Sequence, residues 1–451
     1  MTVPLRHFVV GLALLAAALF VGVGLVVDGV PGLGGLVHVH LFLIGWVCVT
    51  IMGAMTQFVP VWSGTALHSR RLAGVQLALV VTGLVGFAVA LASARLTWLA
   101  GFSAVMLVGF WAFVYNVGRT LATITEPDVT ERHFGVALVA FLVVTVLGFL
   151  LAADFGSGLL ADLGVSHVGV RGAHATVAVF GAVLTTVYGA LYQLATMFTQ
   201  TELRGVDHYL RVVEEVGHPI GVVALAAGRL VDAVAVARAG ALLVLVAALA
   251  FAVVLARRLW TMRVERTPMH SRYAVVAVAL AAWAATAAPA WLRSPTAPEH
   301  VLGGPGSAPL LLLGVIGFVV LGTLYHIVPF LVWVDRYSDR VGIEAVPMVD
   351  DLYDDRLAAA DGALLVLGTA LLVGADLASG ASGTTLTGGV TGPALAGVSL
   401  VIVGVAVFAL NAGLVLRRHG PGSMTRLVFG RFAPDLSGGD GEEADEAVSA
   451  E

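Results

Sequence analysis

Lysine is missing from this 451-residue chain, whose 24 basic residues are all arginine. Cysteine occurs once, as Cys48 inside an apolar run, which excludes an intrachain disulfide, a cysteine zinc site and a CxxCH haem attachment. Charge is scarce too. Asp, Glu, Lys and Arg make up 12% of the residues, about half the share of an ordinary soluble protein. The formal net charge of −5 leaves no basic surface, so nucleic acid is not an expected partner. No Walker loop, nucleophile elbow, HExxH or dinucleotide fingerprint stands in a context that would support it. Apolar residues fill the space: 59% of the chain is hydrophobic, with a mean hydropathy of +0.96 and 54 glycines. The composition implies an all-α polytopic membrane protein with lipid as its surroundings. A lysine-free, Ala/Gly/Val-rich chain with an acidic end suits a GC-rich, salt-loving microbe, archaeal or halophilic.

Twelve apolar stretches are long enough to cross a bilayer, from about 7–29 at the start to about 392–416. The seventh, at 216–236, is the least regular, because Arg229 and Asp232 fall in its outer half. The first stretch shares the make-up of a signal peptide, but its length and the closeness of the next favour a retained span. Arginine sets the orientation. With both termini in the cytoplasm, every arginine except Arg95, Arg171, Arg229, Arg238 and Arg293 falls in an inner segment. The expected location is a cell membrane, crossed many times. Residues 1–430 form the transmembrane domain, and the Gly- and acid-rich 431–451 reads as a disordered cytoplasmic tail.

The second, sixth and tenth stretches resemble one another. They read HVHLFLIGWVCVTIMGAMTQFVPVW from His38, HATVAVFGAVLTTVYGALYQLATMF from His174 and SAPLLLLGVIGFVVLGTLYHIVPFL from Ser307. Without a gap, Gly45, Gly181 and Gly314 coincide, as do Gly53, Gly189 and Gly322. Gln57, Gln193 and His326 share a further position. The separations are nearly equal and each holds four stretches, so the twelve divide into three units, about 1–133, 134–271 and 272–430. Glycines eight apart lie near one helix face, where a neighbouring backbone or a flat ligand approaches closely.

Three four-helix units with histidines at the outer ends of even helices resemble subunit I of the haem-copper oxidases, a superfamily that includes cytochrome c oxidases and nitric oxide reductases. The stretch His38–Gly64, ending Pro60-Val-Trp-Ser-Gly, also resembles a haem-copper membrane family tied to the nitric oxide response. The likeness in architecture covers roughly residues 1–420; in motif it is confined to the three similar helices. It implies haem or copper near the outer face. Two departures count against an oxygen-reducing centre. The oxidases present a His-x-His pair on the tenth helix, where this chain has Ser307 and Pro309. The paired copper histidines beyond the sixth helix are also missing, and the seventh stretch offers only His218.

Histidine inside a membrane is costly and marks a candidate site. His38, His40 and His174 are the candidate haem or metal ligands, since neutral imidazole suits haem iron and copper. His38 and His40 are two residues apart and point away from each other, so they cannot share one metal. The competing reading for each is a buried histidine bonded to backbone. His167 and His300, in outer loops, are weaker candidates. His7, His68, His133, His208, His218, His270 and His419 fall at inner boundaries, where interfacial placement suffices. Gln57, Tyr192, Gln193, Tyr325 and His326 form a polar layer near the inner ends, read either as a proton or solute route or as interhelical hydrogen bonding. Asn116, Asn411 and Asp361 are further intramembrane polar groups, Asp361 being a candidate for proton uptake.

Two functions remain open from the residues. One is a haem- or copper-binding protein without a complete oxygen-reducing centre, acting in respiratory electron transfer or the response to nitric oxide or another diatomic gas, with a redox partner or other membrane subunits. The other is a cofactor-free transporter or channel using the polar layer.

Overall fold

A computed structural model describes residues 2–27, 29–382 and 392–420, so the acidic stretch at 431–451 lies outside the described residues. Twelve long helices account for most of them. They are α1 (Thr2–Val26), α2 (Gly34–Ser63), α3 (Arg70–Ala92), α4 (Leu99–Leu121), α5 (Val129–Ser157), α6 (His167–Thr199), α7 (Val206–Leu230), α8 (Val234–Trp260), α9 (Pro268–Arg293), α10 (Ser307–Arg336), α11 (Asp355–Ser382) and α12 (Gly392–His419). All but α7 are apolar and long enough to span a membrane. The protein is an all-α, polytopic membrane protein. Lipid offers backbone amides no partners, so spanning segments must close their hydrogen bonds internally, as helices do.

The seventh helix begins about ten residues before the expected 216. Its first turns carry Asp207, Glu214 and His218, all fully buried, and hydropathy alone discards such residues. Asp207 pairs with Arg257, at 2.6 Å, and with Arg258 of α8, which lets the charged turn sit inside the bundle. Other helix starts follow local rules. The Ser69 hydroxyl accepts from the Leu72 amide at 3.1 Å, and Asp128 and Glu131 form a capping box at α5.

Helices pair in one pattern along the chain. Neighbours α1 and α2 pack together, as do α5 and α6, and α9 and α10; α3 packs with α4, α7 with α8, and α11 with α12. Each of α2, α6 and α10 contains an eight-residue π-helical segment: Leu41–Cys48, Val177–Leu184 and Leu310–Gly317. Each begins three residues after His38, His174 or Ser307, the positions that the sequence aligns. A π segment bonds i to i+5, which widens the helix and frees carbonyls for other partners. Below it, a β-carbon on Gly53, Gly189 or Gly322 would come within 2.6, 2.6 and 3.0 Å of the β-carbons of His7, His133 and Arg272. These glycines are small because the preceding helix presses against them.

Candidate functional site

The ends of α2 and α6 on the face away from most arginines enclose a cavity of about 220 Å³. α2 contributes His40, Ile44 and Cys48 to its wall, and α6 contributes His174, Ala178 and Ala182. Each set is spaced four residues apart, which makes one row along a helix. Phe87, Met106, Phe110, Phe141 and Val144 from α3, α4 and α5 complete an apolar wall. Arg171, exposed at the start of α6, stands at the mouth.

Both histidines are anchored through Nδ1, His40 to its own helix and His174 to α5. His40 Nδ1 donates to the Leu36 carbonyl at 2.8 Å, and His174 Nδ1 donates to the Val144 carbonyl at 3.1 Å. This fixes the tautomer in each ring, leaving Nε2 with its lone pair and no hydrogen-bond partner among the described residues. The His40 ring also rests on Phe87, with ring centres 5.1 Å apart. Gly148 of α5 lies against the His174 ring, where a side chain would collide at 3.0 Å. A backbone-anchored Nδ1 and an available Nε2 are how proteins present histidine to a metal.

His38 takes another direction. Its Nδ1 donates to the Ala18 carbonyl at 2.8 Å, and its ring packs on Gly22 of α1, so it does not line the cavity. The posture matches that of His174 on Val144 and Gly148, as their aligned positions imply. His167 opens α6 instead of lying in a loop, and its Nδ1 meets Asp154 at 2.6 Å. His300 Nδ1 donates to the Ser294 carbonyl at 3.1 Å. Ser307 shares a hydrogen bond of 2.9 Å with Thr286. His326 is at the opposite end of its helix, with Phe330 parallel to its ring and Phe198 tilted against it. Among the described residues no three His, Cys, Asp or Glu side chains converge to hold a metal ion.

The other contacts between α2, α6 and α10 are tighter, although deeper in the bundle all three helices also border an apolar void of about 70 Å³ at Val47, Thr186 and Val319. Phe42 and Trp46 of α2 meet Leu313, Gly317 and Phe318 of α10 around a void of about 30 Å³. On the α6–α10 side, Phe180 packs against Trp283 and Trp291 at 5.5 and 5.2 Å between ring centres, all three fully buried.

Toward the arginine-rich face the structure corrects several expectations. His7, His133, His218 and His270, read as interfacial, are buried and hydrogen-bonded, because helix–helix packing encloses them. His133 lies 3.1 Å from each carboxylate oxygen of Glu214. Asp361, a candidate for proton uptake, is paired with Arg272 and accepts the Tyr325 hydroxyl. Asn411 donates to that hydroxyl at 3.2 Å. Tyr325 thus serves an interhelical network, whereas Tyr192 meets His133 only through its ring, at 5.6 Å between ring centres. Gln57, Gln193 and His326 make no hydrogen bond among the described residues, so the five polar residues do not form one connected layer. Asn116 and Asn411 brace chain turns: each grips one residue's amide and carbonyl, those of Ser69 and Asp354, at 2.9–3.0 Å.

Sequence reasoning missed Glu214 and Arg272, took His133 as interfacial and took Arg229 only as an irregularity of the seventh stretch. Arg229 is buried, and its guanidinium is satisfied by the Pro295, Val301 and His300 carbonyls and the Thr176 hydroxyl. The usable signal was polarity: ionisable residues spaced along α7 at intervals of three or four mark a face that must be partnered if it is buried.

Among solved structures, the chain is similar to a heme-copper terminal oxidase described as a dimer, with a TM-score of 0.61 and 14% identity over 92% of this chain and 82% of that one. No family model and no curated protein matches. At that identity the likeness concerns the fold, which is that of the oxidase's membrane-embedded helices.

Proposed function

We propose that this chain binds haem in the α2–α6 cavity, with His40 and His174 as its iron ligands, and transfers electrons. The observation that carries the reading is the pair of histidines, one from each helix, with anchored Nδ1 and free Nε2 in the wall of one apolar cavity. The residues fit a flat apolar macrocycle: small Ala178 and Ala182 leave room, aromatic rings line the sides, and Arg171 at the mouth suits a carboxylate. Copper is the poorer fit, because among the described residues no third His, Cys, Asp or Glu side chain converges with the two imidazoles. Haem held by two histidines supplies one-electron chemistry and keeps no open position for a gas. His40 and His174 hold and orient, the apolar wall excludes water, and Arg171 meets charge at the surface.

Electron transfer is therefore favoured over binding of nitric oxide or another gas. Ser307 and Pro309 stand where the resemblance expects haem ligands, so no oxygen reduction at oxidase-like rates is expected. The division into three units belongs to the same reading, supported by the matching π segments and helix pairs; inner termini rest on the arginine distribution alone. The test is the visible spectrum and metal content of the purified protein. A Soret band with sharp reduced-state bands is expected. Colourless protein free of iron and copper would sink the reading and leave the cofactor-free transporter.

A further inference from the structure

The arginine-rich half contains three clusters at corresponding places, each built around the residue that presses on Gly53, Gly189 or Gly322. Their chemistries differ. Arg272 with Asp361 places the carboxyl against a guanidinium, which does not give up its proton in a protein. His7 is buried, with Nδ1 donating to the Val3 carbonyl at 2.8 Å and no carboxylate among its hydrogen-bond partners. His133 with Glu214 joins two groups that both titrate, and both are buried.

Their geometry requires a proton between them. His133 Nδ1 donates to the Val129 carbonyl at 2.7 Å, so Nε2 is the atom facing the Glu214 carboxylate. Without a proton there, a lone pair would oppose a carboxylate inside a low-dielectric bundle. One proton, on either partner, makes a strong hydrogen bond. Loading takes one proton from water and no electron; release returns it.

The surroundings point to water. Tyr188 Oη, Tyr192 Oη, His218 Nδ1 and Thr130 Oγ1 are buried without hydrogen-bond partners. Tyr188 lies against the His218 ring at 5.0 Å, and Tyr192 against His133 at 5.6 Å. Buried polar atoms without protein partners are met by ordered water, and four around one pair mark a hydrated track. Beside Tyr192, a void of about 10 Å³ bordered by Leu203 and Arg258 is room for roughly one water toward the arginine-rich face. No cation takes the place of the proton. Arg132 and Arg211 of the neighbouring turns engage Glu215, and Arg258 engages Asp207.

The track has one open end. His218 Nε2 donates to the Phe180 carbonyl at 2.9 Å, in the π segment of α6. Beyond it stands Arg229, a buried charge whose partners are carbonyls and a hydroxyl with no carboxylate among them. A fixed cation without a counterion repels a proton strongly at low dielectric.

We propose that His133 and Glu214 form a proton-binding site that exchanges, through internal water, with the arginine-rich face only. The site is independent of any cofactor. Infrared difference spectra of the purified full-length chain, taken as pH steps through the histidine range, test it. Expected is a pH-dependent glutamate band, of the carboxyl or of the carboxylate, that responds promptly to D₂O, disappears in Glu214→Gln, moves in His133→Gln and persists in Asp361→Asn. Labelling glutamate carboxyls with ¹³C in the unmutated protein identifies the band even where Glu214→Gln fails to fold. In sealed vesicles of known orientation, the band should follow the pH on the arginine-rich side. A band that survives Glu214→Gln, a labelled protein without a pH-dependent glutamate band, resistance to D₂O over hours, or response to the opposite compartment overturns the proposal.

Discussion

One helix, α2, takes part in two contacts that have opposite outcomes. Its row His40, Ile44 and Cys48 faces α6 across an open cavity, while Phe42 and Trp46, on the other side of the same helix, close the contact with α10. The difference lies in what the partner offers. α6 supplies His174 and then Ala178 and Ala182, so a second imidazole arrives with space beside it. α10 has Ser307 and Pro309 at its start and large side chains below, and an indole fills what remains. The helix arrangement is the same in both places. Capacity for a cofactor is set by side-chain size along rows spaced four residues apart and by whether the second ligand exists.

The largest expected effect separates the histidines by contact. His40→Ala and His174→Ala should each abolish haem retention or convert its spectrum to that of a singly ligated iron. His38→Ala and His326→Ala should leave content and spectrum unchanged, because neither lines the cavity. The comparison breaks if His38→Ala strips the cofactor while His40→Ala does not.

The closed contact gives the next effect. Trp46 is almost fully buried, and truncation to Ala should cost about 3–5 kcal/mol through lost contacts and a residual void. Thermal unfolding in detergent reads that loss as a lowered midpoint, while cofactor content per folded protein stays as in the unmutated chain. A new void without a histidine pair should not take up haem. Haem bound at a second stoichiometric site in Trp46→Ala would show that space alone sufficed.

Much of the fold could be read in the sequence, for a physical reason. Spanning helices announce themselves by length and hydropathy, and eleven of the twelve meet both criteria. The exception, α7, has its buried polar face matched residue by residue by partners on α5, α6 and α8, and a sequence does not display those pairings. The site was half legible. Histidine at the outer ends of α2 and α6 stood out as costly, but the choice of His40 over His38 depended on helix rotation. The π segments change that rotation within the same stretch, and an ideal period of 3.6 does not foresee them. The clusters at His133 and Arg272 were hidden because the odd helices carry no shared motif; only the glycines they press on do.

The smallest effect concerns Arg171, the one charged side chain in the cavity wall. It is exposed, so any pairing with a carboxylate of a bound macrocycle is made in water and screened by salt. Such pairs contribute about 0.2–1 kcal/mol, which corresponds to a weakening of about fivefold at most. Arg171→Gln should therefore retain the two-histidine spectrum, bind haem slightly less tightly at low ionic strength, and match the unmutated protein in high salt. Haem titration of the apoprotein at two salt concentrations measures this. An affinity loss that persists undiminished in high salt would mean that Arg171 acts by packing on the cavity mouth through its aliphatic stem and not by its charge. A change in the spectrum itself would place it closer to the iron ligands than the wall suggests.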